Sequence, residues 1–485
     1  MNRQIRRLGI GLLVLYAALF VQLNVIQVLR ADTYNDHPEN SRAIIRDFSR
    51  PRGQILAADG TVLARSVPVD SPFKLQREYP EGELFAHVTG YFSLNAGADG
   101  VERSYNDALA GHTGERIEDI GELLLGEPRT ADVSLTIPAD VQRVARDALG
   151  AKRGSVVALD PRDGAVLALW SFPSYDPDVL SSVDIDAAQE ARERLLADEA
   201  NPLLARSYRE TYFPGSTFKV VTAAAGLASG SVSATSPVYP TSNAYVPPLT
   251  RQPIRNFGGG TCGGALPAIL RVSCNTAFAQ MGVDLGAETL VNTAEDFGFN
   301  HAAPIDLPAP AVSPIGDVAS FQENTPVLAM TAIGQNAVRS TPLQMALVAA
   351  GVANGGDVMV PHVMREIRDN EGRVIDNWEP TNWTSAVRPD VAATLTEAMT
   401  AVVEQGTATR LAVPGVPTAG KTGTAQLGNG LSHAWIVGFA PADAPRVAVA
   451  VIVEAQPGAS EQTGGQVAAP IAQTVLAAAL AANPE

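Results

Sequence analysis

The chain is poor in the residues that build metal sites and nucleic-acid surfaces. Its 485 residues include two cysteines and six histidines, and none of these has the spacing of a zinc site. This argues against a zinc site. The formal net charge is −16, and no basic cluster lies outside the N-terminus, which argues against a nucleic-acid partner.

Lysine is also scarce, and two of the four lysines fall in the motifs described below. These four residues are Lys74, Lys152, Lys219 and Lys421. Such a distribution is hard to ascribe to surface solubility alone. The two cysteines, Cys262 and Cys274, leave two interpretations open: a disulfide in a domain outside the cytoplasm, or two ordinary, partly buried thiols.

A long apolar run follows three N-terminal arginines. It extends without interruption from Leu8 to Val21, and its apolar character continues to Leu29. No small-x-small cleavage site follows, and a helix reaching Leu29 covers roughly 30 Å, so an uncleaved anchor is favoured over a cleaved signal. With the basic end in the cytoplasm, we expect a single-pass protein of the cell membrane whose remaining residues are extracytoplasmic.

The stretch around Ser216 contains the first candidate catalytic residues. Pro214 and Gly215 end the preceding segment, and the apolar residues from Thr217 onward favour a helix that begins at Ser216. Lys219 lies one turn further on the same face, within reach of the Ser216 hydroxyl. A lysine whose pKa is lowered by burial and by the helix end can act as a base, and free backbone N–H groups can hold an oxyanion. The stretch therefore predicts a Ser/Lys acyl-transfer enzyme.

The same spacing occurs elsewhere without that context. Ser71 and Lys74 also match Ser-x-x-Lys, but Pro72 and Pro80 bracket a short polar segment that no helix follows. We expect no catalytic site there, because the spacing alone carries little information.

Periodicity and turn residues predict the remaining elements. Thr341 is expected to cap a helix, with Pro342 in its first turn and Gln344 completing a capping box. The other predictions, in chain order, are a helix over 140–149, a hairpin of 154–159 and 165–170, a helix over 184–200, a surface excursion over 237–267, a helix over 276–285, an edge strand over 421–426, strands over 433–439 and 446–454, and a helix over 469–481.

Three motifs occur in a fixed order: Ser216–Lys219, Ser273–Asn275 and Lys421–Gly423. They resemble the Ser-x-x-Lys, Ser-x-Asn and Lys-Thr-Gly motifs of penicillin-binding proteins and serine β-lactamases. Ser-x-Asn alone means little, because residues 93–95 and 104–106 match it too. Lys-Thr-Gly occurs once. The order, the helix after the first motif and the strand at the third together support the resemblance.

The resemblance extends along nearly the whole chain. Further segments are similar to the class B, monofunctional high-molecular-mass branch, and most of all to its actinobacterial type A. These segments are Arg52–Ile55, Gly100–Glu102, Pro173–Pro177 and Thr341–Ala346. One departure is Gly334-Gln335-Asn336, where the family often has Gly-Gln-Gly at a position that is not catalytic.

The resemblance implies a mixed α/β fold, the penicillin-binding transpeptidase (serine β-lactamase-like) fold. Its mainly antiparallel sheet is flanked by helices and preceded by a smaller pedestal. We accordingly assign residues 1–30 to a cytoplasmic tail and transmembrane anchor, 31–139 to an N-terminal pedestal or interaction domain, and 140–485 to the transpeptidase domain.

Family resemblance also implies the roles of the first site residues. Ser216 is expected to attack the penultimate D-Ala carbonyl of a stem peptide, with Lys219 as its base. Ser273 relays a proton between Lys219, Lys421 and the leaving group. Asn275 holds Lys219 and the donor-peptide amide. Two neighbouring lysines disfavour each other's protonation, which helps to keep one of them neutral.

The third motif is expected to bind the donor carboxylate and the oxyanion. Lys421 sets a positive field, and the hydroxyls of Thr422 and Thr424 hold the carboxylate, with Gly423 between them. The backbone N–H groups of Ser216 and Thr424 form the oxyanion hole.

The implied activity is D,D-transpeptidation in peptidoglycan synthesis, a reaction for which the resemblance implies neither a metal nor an organic cofactor. The enzyme cross-links D-Ala-D-Ala stem peptides through an acyl-enzyme, with release of the terminal D-Ala, and β-lactams are covalent inhibitors. The membrane anchor and a polytopic glycan polymerase are the other implied partners.

Three rival functions are less well supported. A Ser-His-Asp hydrolase is disfavoured because no serine lies in Gly-x-Ser-x-Gly. A D,D-carboxypeptidase or β-lactamase is the hydrolytic alternative, although we identify no dedicated base for the water that a β-lactamase requires. A β-lactam sensor or an inactive scaffold is the non-enzymatic alternative, and a sensor would be expected to carry several membrane helices and a cytoplasmic output domain.

Overall fold

The computed structural model describes residues 2–26, 48–111, 130–427, 430–455 and 463–483. The end of the predicted anchor and the start of the predicted pedestal, residues 27–47, lie outside the described residues. So do residues 112–129, within the predicted pedestal.

The strands are short in the N-terminal part of the chain and longer towards its end. In chain order they are β1 Ile55–Leu56, β2 Val62–Pro68, β3 Leu75–Glu78, β4 Phe92–Ser93, β5 Gly97–Ala98, β6 Ala131–Leu135, β7 Gly154–Leu159, β8 Val166–Phe172, β9 Tyr239–Ser242, β10 Ala244–Tyr245, β11 Ile254–Arg255, β12 Cys262–Gly264, β13 Asp357–Met359, β14 Met364–Asp369, β15 Val374–Asn377, β16 Asn382–Ser385, β17 Ala419–Gln426, β18 Ser432–Ala440 and β19 Val447–Val453.

The helices range from single turns to a 23-residue N-terminal helix. They are α1 Asn2–Asn24, α2 Ala86–Thr89, α3 Gly100–Ser104, α4 Asn106–Ala110, α5 Ala139–Leu149, α6 Ile185–Ala197, α7 Arg206–Arg209, α8 Lys219–Ala228, α9 Leu266–Arg271, α10 Asn275–Asp296, α11 Val318–Gln322, α12 Thr325–Thr331, α13 Pro342–Ala353, α14 Pro389–Gln405 and α15 Ala469–Ala482. Short 3₁₀ or π turns are Gly82–Leu84, Pro177–Val179, Gly215–Phe218, Phe257–Gly259, Thr409–Leu411 and Gly464–Ala468.

A five-stranded antiparallel sheet forms the centre of the large C-terminal region, in the order β17-β18-β19-β7-β8. Every residue of β19 is buried, as a central strand of Val, Ile and Ala requires. Helices α5 and α15 pack on each other and on this sheet, and α13 packs on β7, β18 and β19. The predicted mixed α/β fold with an antiparallel sheet is confirmed, and β17 is the edge strand.

A second sheet has six strands, in the order β15-β14-β6-β1-β2-β3. Only the β1–β6 pair is parallel. Strands β14 and β15 lie after residue 360 in the sequence. The N-terminal sheet therefore includes two strands from the C-terminal part of the chain. Strand β14 pairs with the side of β6 that faces away from β1, so β6 is not an edge strand.

Most local predictions are confirmed, with differences at turns and ends. The hairpin of β7 and β8 forms, and Thr341 caps α13 by accepting from the backbone N–H of Gln344 at 3.0 Å. The predicted capping box is wrong, because the Gln344 side chain donates instead to the carbonyl oxygen of Phe297 at 2.6 Å. Helix α6 ends earlier than predicted, at Ala197. The excursion over 237–267 contains two short strand pairs, β9–β12 and β10–β11.

Two helices of the described residues are long and apolar enough to cross a membrane. One is Arg3–Asn24, with a mean hydropathy of 1.6 and no burial. The other, Gly464–Ala482, is partly buried against the central sheet and belongs to the folded core. The N-terminal helix is therefore the candidate anchor.

Candidate active site

Ser216 lies in a tight turn at the start of a helix, as predicted. Gly215–Phe218 forms a 3₁₀ turn that continues directly into α8. Gly215 has a φ of +54°, which favours glycine, and its N–H donates to the carbonyl oxygen of Gly334 at 2.9 Å. A Cβ on Gly215 would lie 2.9 Å from the carbonyl oxygen of Thr424. The turn is thus held between the Gly334 loop and strand β17.

The second motif lies where a strand-rich loop meets α10. Cys274 is the residue before the first turn of α10, and Ser273 precedes it with a φ of +58°. Cys262 in β12 and Cys274 form a disulfide, with Cα atoms 5.8 Å apart. Of the two interpretations left open above, the structure has the disulfide. This bond fixes the residue between Ser273 and Asn275.

Lys219 points from α8 to the second motif. Its Nζ donates to the carbonyl oxygen of Ser273 at 2.8 Å and to Oδ1 of Asn275 at 2.6 Å, and the Ser273 hydroxyl lies 3.3 Å away. The Asn275 amide is itself held, because its Nδ2 donates to the carbonyl oxygen of Arg255 at 2.9 Å. In a neutral amine those two acceptors use both hydrogens and leave the lone pair available. No hydrogen bond joins Lys219 to Ser216 among the described residues.

Lys421 reaches Ser273 from strand β17. Its Nζ lies 2.8 Å from Ser273 Oγ and also donates to the carbonyl oxygen of Thr422 at 2.9 Å. The hydroxyl of Ser273 is therefore within hydrogen-bond distance or close contact of both lysine amines. Three segments that are far apart in sequence meet at this one oxygen.

The environment of both lysines disfavours their charged forms. Both side chains are fully buried. Burial, and secondly the charge of Lys421, hold the pKa of Lys219 well below its usual value. Burial lowers the pKa of Lys421 to about 7. No carboxylate among the described residues counters these shifts, so burial and the repulsion between the two charges favour a state in which at least one amine is neutral.

Strand β17 presents the third motif beside the Ser216 turn. A Cβ on Gly423 would lie 2.9 Å from the carbonyl oxygen of Pro214, so only glycine lets the strand approach this closely. Trp435 on the neighbouring strand β18 donates its indole N–H to the carbonyl oxygen of Phe213 at 3.1 Å. Thr424 is partly exposed, and its backbone lies against Gly215.

Two contacts of this site were not foreseen from the sequence. The hydroxyls of Thr407 and Thr422 lie 2.6 Å apart, and Thr407 belongs to none of the motifs. The Gly334 loop, noted only as a departure from the family pattern, supports the Ser216 turn. Neither Thr407 nor Gly334 belongs to a local sequence motif of the site, because each contacts a residue that is distant in the sequence.

The second Ser-x-x-Lys match does not form a comparable site. Ser71 accepts a hydrogen bond from the backbone N–H of Phe73 within a turn, and Lys74 is exposed with a φ of +63°. Strand β3, rather than a helix, follows Lys74 directly. The described part of the chain also contains no group of three or more His, Cys, Asp or Glu residues that could hold a metal ion.

Comparisons with known proteins identify the family to which the chain belongs. The penicillin-binding protein transpeptidase domain matches residues 154–477, and the penicillin-binding protein A dimerisation domain matches residues 52–132. The chain is 40% identical to the peptidoglycan D,D-transpeptidase PbpA of Mycolicibacterium smegmatis, over 99% of both chains. It is 39% identical to PbpA of Mycobacterium tuberculosis over the full length of both.

Solved structures that are similar to this chain are also penicillin-binding proteins. A ceftriaxone acyl-enzyme complex of penicillin-binding protein A from M. tuberculosis superposes with a TM-score of 0.83 at 38% identity, covering 90% of this chain and 100% of that one. Penicillin-binding protein 2 of Pseudomonas aeruginosa superposes with a TM-score of 0.74 at 30% identity, covering 89% and 95%. The chain belongs to the penicillin-binding protein transpeptidase family, in its class B, D,D-transpeptidase branch.

Proposed function

We propose that this protein is a peptidoglycan D,D-transpeptidase that works through an acyl-enzyme on Ser216. The observation that carries the proposal is the position of Ser273 Oγ, 2.8 Å from Lys421 Nζ and 3.3 Å from Lys219 Nζ, beside the turn that holds Ser216. A hydroxyl between two amines of lowered pKa is suited to moving protons between them. The two PbpA relatives are peptidoglycan D,D-transpeptidases, and penicillin-binding protein A of M. tuberculosis forms an acyl-enzyme with ceftriaxone.

Acylation begins with deprotonation of Ser216. Neutral Lys219 takes the hydroxyl proton as Ser216 Oγ attacks the penultimate D-Ala carbonyl of the donor stem peptide. The backbone N–H groups of Ser216 and Thr424 stabilise the oxyanion, because the turn and strand β17 approach each other closely. Collapse expels the terminal D-Ala, whose amine receives its proton through Ser273 and Lys421.

Deacylation uses an amine from a second stem peptide. That amine attacks the acyl carbonyl and gives a proton to Lys219. The ester bond to Ser216 Oγ then breaks, Ser216 Oγ takes a proton back from Lys219, and the new amide bond is the cross-link. Protonated Lys421 and the hydroxyls of Thr422 and Thr424 hold the donor carboxylate during the first half-reaction. Asn275 holds Lys219 through its Oδ1 and is the group proposed to bind the donor-peptide amide.

Domain roles and location form part of the same proposal. Residues 1–30 anchor a single-pass protein in the cell membrane, residues 31–139 form the pedestal, and residues 140–485 form the extracytoplasmic transpeptidase domain. A polytopic glycan polymerase is the partner proposed for the anchor and pedestal. The exposed apolar helix Arg3–Asn24 and the disulfide near the active site support an extracytoplasmic enzyme.

Labelling with a fluorescent penicillin tests the function. The full-length protein should be labelled covalently, and Ser216→Ala should not, while Ser71→Ala at the non-catalytic Ser-x-x-Lys should label like wild type. An acyl-enzyme that persists for hours supports a transpeptidase. One hydrolysed within milliseconds supports the β-lactamase alternative. Labelling of Ser216→Ala at the wild-type rate would contradict the assignment of the nucleophile.

A further inference from the structure

Helix α10 begins inside the second motif, and a distant residue caps it. The N-cap position is held by Cys274, whose sulfur is bonded to Cys262 instead of capping the helix. Asn256 supplies the acceptor, because its Oδ1 accepts from the backbone N–H of Thr276 at 3.0 Å. Buried N–H groups at a helix start need such an acceptor, so Asn256 takes the place of a local cap.

The nitrogen of the Asn256 amide is held as firmly as its oxygen. Asn256 is buried, and its Nδ2 donates to the carbonyl oxygens of Ser242 and Gly260, both at 2.9 Å. Ser242 is the last residue of β9, and Gly260 lies just before β12, its partner strand. One side chain therefore connects this strand pair to the start of α10.

The residue next to Asn256 contacts the Asn275 side chain directly. The carbonyl oxygen of Arg255 accepts from Asn275 Nδ2 at 2.9 Å, and Asn275 Oδ1 accepts from Lys219 Nζ at 2.6 Å. A side-chain amide has a donor end and an acceptor end, whereas a backbone carbonyl can only accept. The Arg255 carbonyl therefore selects the orientation in which Asn275 turns its oxygen towards Lys219.

We propose that Asn256 is a positioning residue for the reaction: it fixes the Arg255 carbonyl, which in turn orients Asn275 towards Lys219. Strand β11 is two residues long and pairs with the two-residue β10, a ladder too short to fix this carbonyl firmly. The three hydrogen bonds of Asn256 supply the missing rigidity. This role rests on the function proposed above, in which Asn275 holds the base Lys219.

The rate of acylation by a fluorescent penicillin tests this role in the full-length protein in detergent. Asn256→Ala removes all three hydrogen bonds, and the second-order rate should fall by about 10- to 100-fold, because small displacements of catalytic groups are costly. The isosteric Asn256→Asp keeps an acceptor for Thr276 but loses both donors, so its rate should fall by a smaller factor. A wild-type rate in Asn256→Ala, or in Asn256→Asp if the alanine variant does not fold, would overturn the proposal.

A double-mutant cycle with Asn275→Ala separates positioning from general damage to the fold. If Asn256 acts through Asn275, its substitution should slow the otherwise wild-type protein and cause no further fall in Asn275→Ala. Equal falls in the two backgrounds would refute the positioning role.

The pH profile of acylation provides an independent readout. The Asn275 oxygen stabilises the protonated Lys219 amine more than the neutral one, so loss of this contact should lower the pKa of Lys219 further. Burial and the charge of Lys421 act on this amine in the wild type and in the variants alike. The acid limb should therefore move to lower pH in the Asn256 variants, and an unmoved limb would contradict the proposal.

Asp59→Ala is the matched control, because Asp59 also caps a helix that is distant in the sequence. Its Oδ2 accepts from the backbone N–H of Ala139, the first residue of α5, at 3.1 Å. Asp59→Ala should lower the unfolding midpoint and keep the wild-type acylation rate, and an equal loss of rate would refute a specific role for Asn256. Labelling of Ser216→Ala would instead contradict the proposed function, whereas unaffected Asn256 variants of a protein labelled at Ser216 would contradict the positioning role alone.

Discussion

Lys421 Nζ lies 2.8 Å from the hydroxyl oxygen of Ser273, a residue 148 positions earlier in the chain. Because Lys219 approaches the same hydroxyl from helix α8, Ser273 connects two amines that cannot both be readily protonated. This arrangement gives the proposed reaction a base, a relay and a positive field at one place.

Removal of the Ser273 hydroxyl should slow acylation while leaving the fold intact. Ser273→Ala interrupts the contact between the amines, and we expect the rate of acylation by penicillin to fall by about 10²- to 10⁴-fold, the usual range for a lost proton-transfer group. The measurement is the second-order acylation rate with a fluorescent penicillin. Ser104→Ala, in the exposed Ser-x-Asn match of α3, is the control. An unchanged rate in Ser273→Ala would exclude the relay.

The pH dependence of acylation should be bell-shaped. Lys219 must be neutral to accept a proton, so the rate falls as the pH drops through its lowered pKa. Lys421 must be protonated to attract the carboxylate, so the rate also falls as the pH rises above about 7, where Lys421 loses its proton. Stopped-flow acylation across pH measures both limbs.

Substitution of Lys421 should show that this residue causes the fall in acylation rate above neutral pH. Arginine stays protonated throughout the accessible pH range, so Lys421→Arg should remove the fall above neutral pH, although the maximal rate is expected to be lower. Lys152→Gln, at an exposed lysine, should leave the profile unchanged. If the alkaline limb persists in Lys421→Arg, another group is responsible for it.

The hydroxyl contact between Thr407 and Thr422 should matter for carboxylate recognition. Thr407→Val removes a hydrogen bond of 2.6 Å, and we expect acylation by a penicillin to slow by about 3- to 10-fold, the net worth of one such bond. Thr407→Ser should restore the rate. The methyl ester of the same penicillin should be affected less, because it has no carboxylate for Thr422 to bind. Equal losses for acid and ester would show a purely structural role.

The disulfide should stabilise the loop that carries the second motif. It closes a loop of 12 residues, and its loss in a Cys262→Ser/Cys274→Ser variant should lower the free energy of unfolding by about 2–3 kcal/mol. Urea unfolding of wild type with and without a reductant provides a second measurement. The double variant should not respond to reductant, which serves as the control. Equal stabilities would show that the disulfide contributes nothing.

The Arg209–Asp99 pair should hold the N-terminal region against the segment that leads to Ser216. Arg209 donates to both oxygens of Asp99, at 2.8 and 2.6 Å, with both side chains largely buried. Lysine cannot form this two-point contact, so Arg209→Lys should lower the free energy of unfolding by about 1–3 kcal/mol. Arg388→Lys, in an exposed pair with Asp390, should change it little. Chemical denaturation compares the two variants.

Local signals were sufficient for much of the fold. Thr341 and Pro342 marked the start of α13, and the apolar runs on either side of the turn at 161–164 predicted the hairpin of β7 and β8. Gln344 was misassigned because the capping-box pattern is local, whereas the acceptor that its side chain found, Phe297, lies 47 residues away. The strands that complete the N-terminal sheet were missed for the same reason, since pairing across more than 200 residues leaves no local trace.

The sequence by itself determined the chemistry: a serine and a lysine one turn apart, a second serine and an asparagine, and a single Lys-Thr-Gly strand. Residue type and helix or strand period are local properties, so they could be read without the fold. Only the tertiary structure decided that Ser273 lies between the two amines, that Cys262 and Cys274 are joined, and that Thr407 touches Thr422. Those facts depend on the burial of distant segments against one another, and burial is also what lowers the pKa values of both lysines.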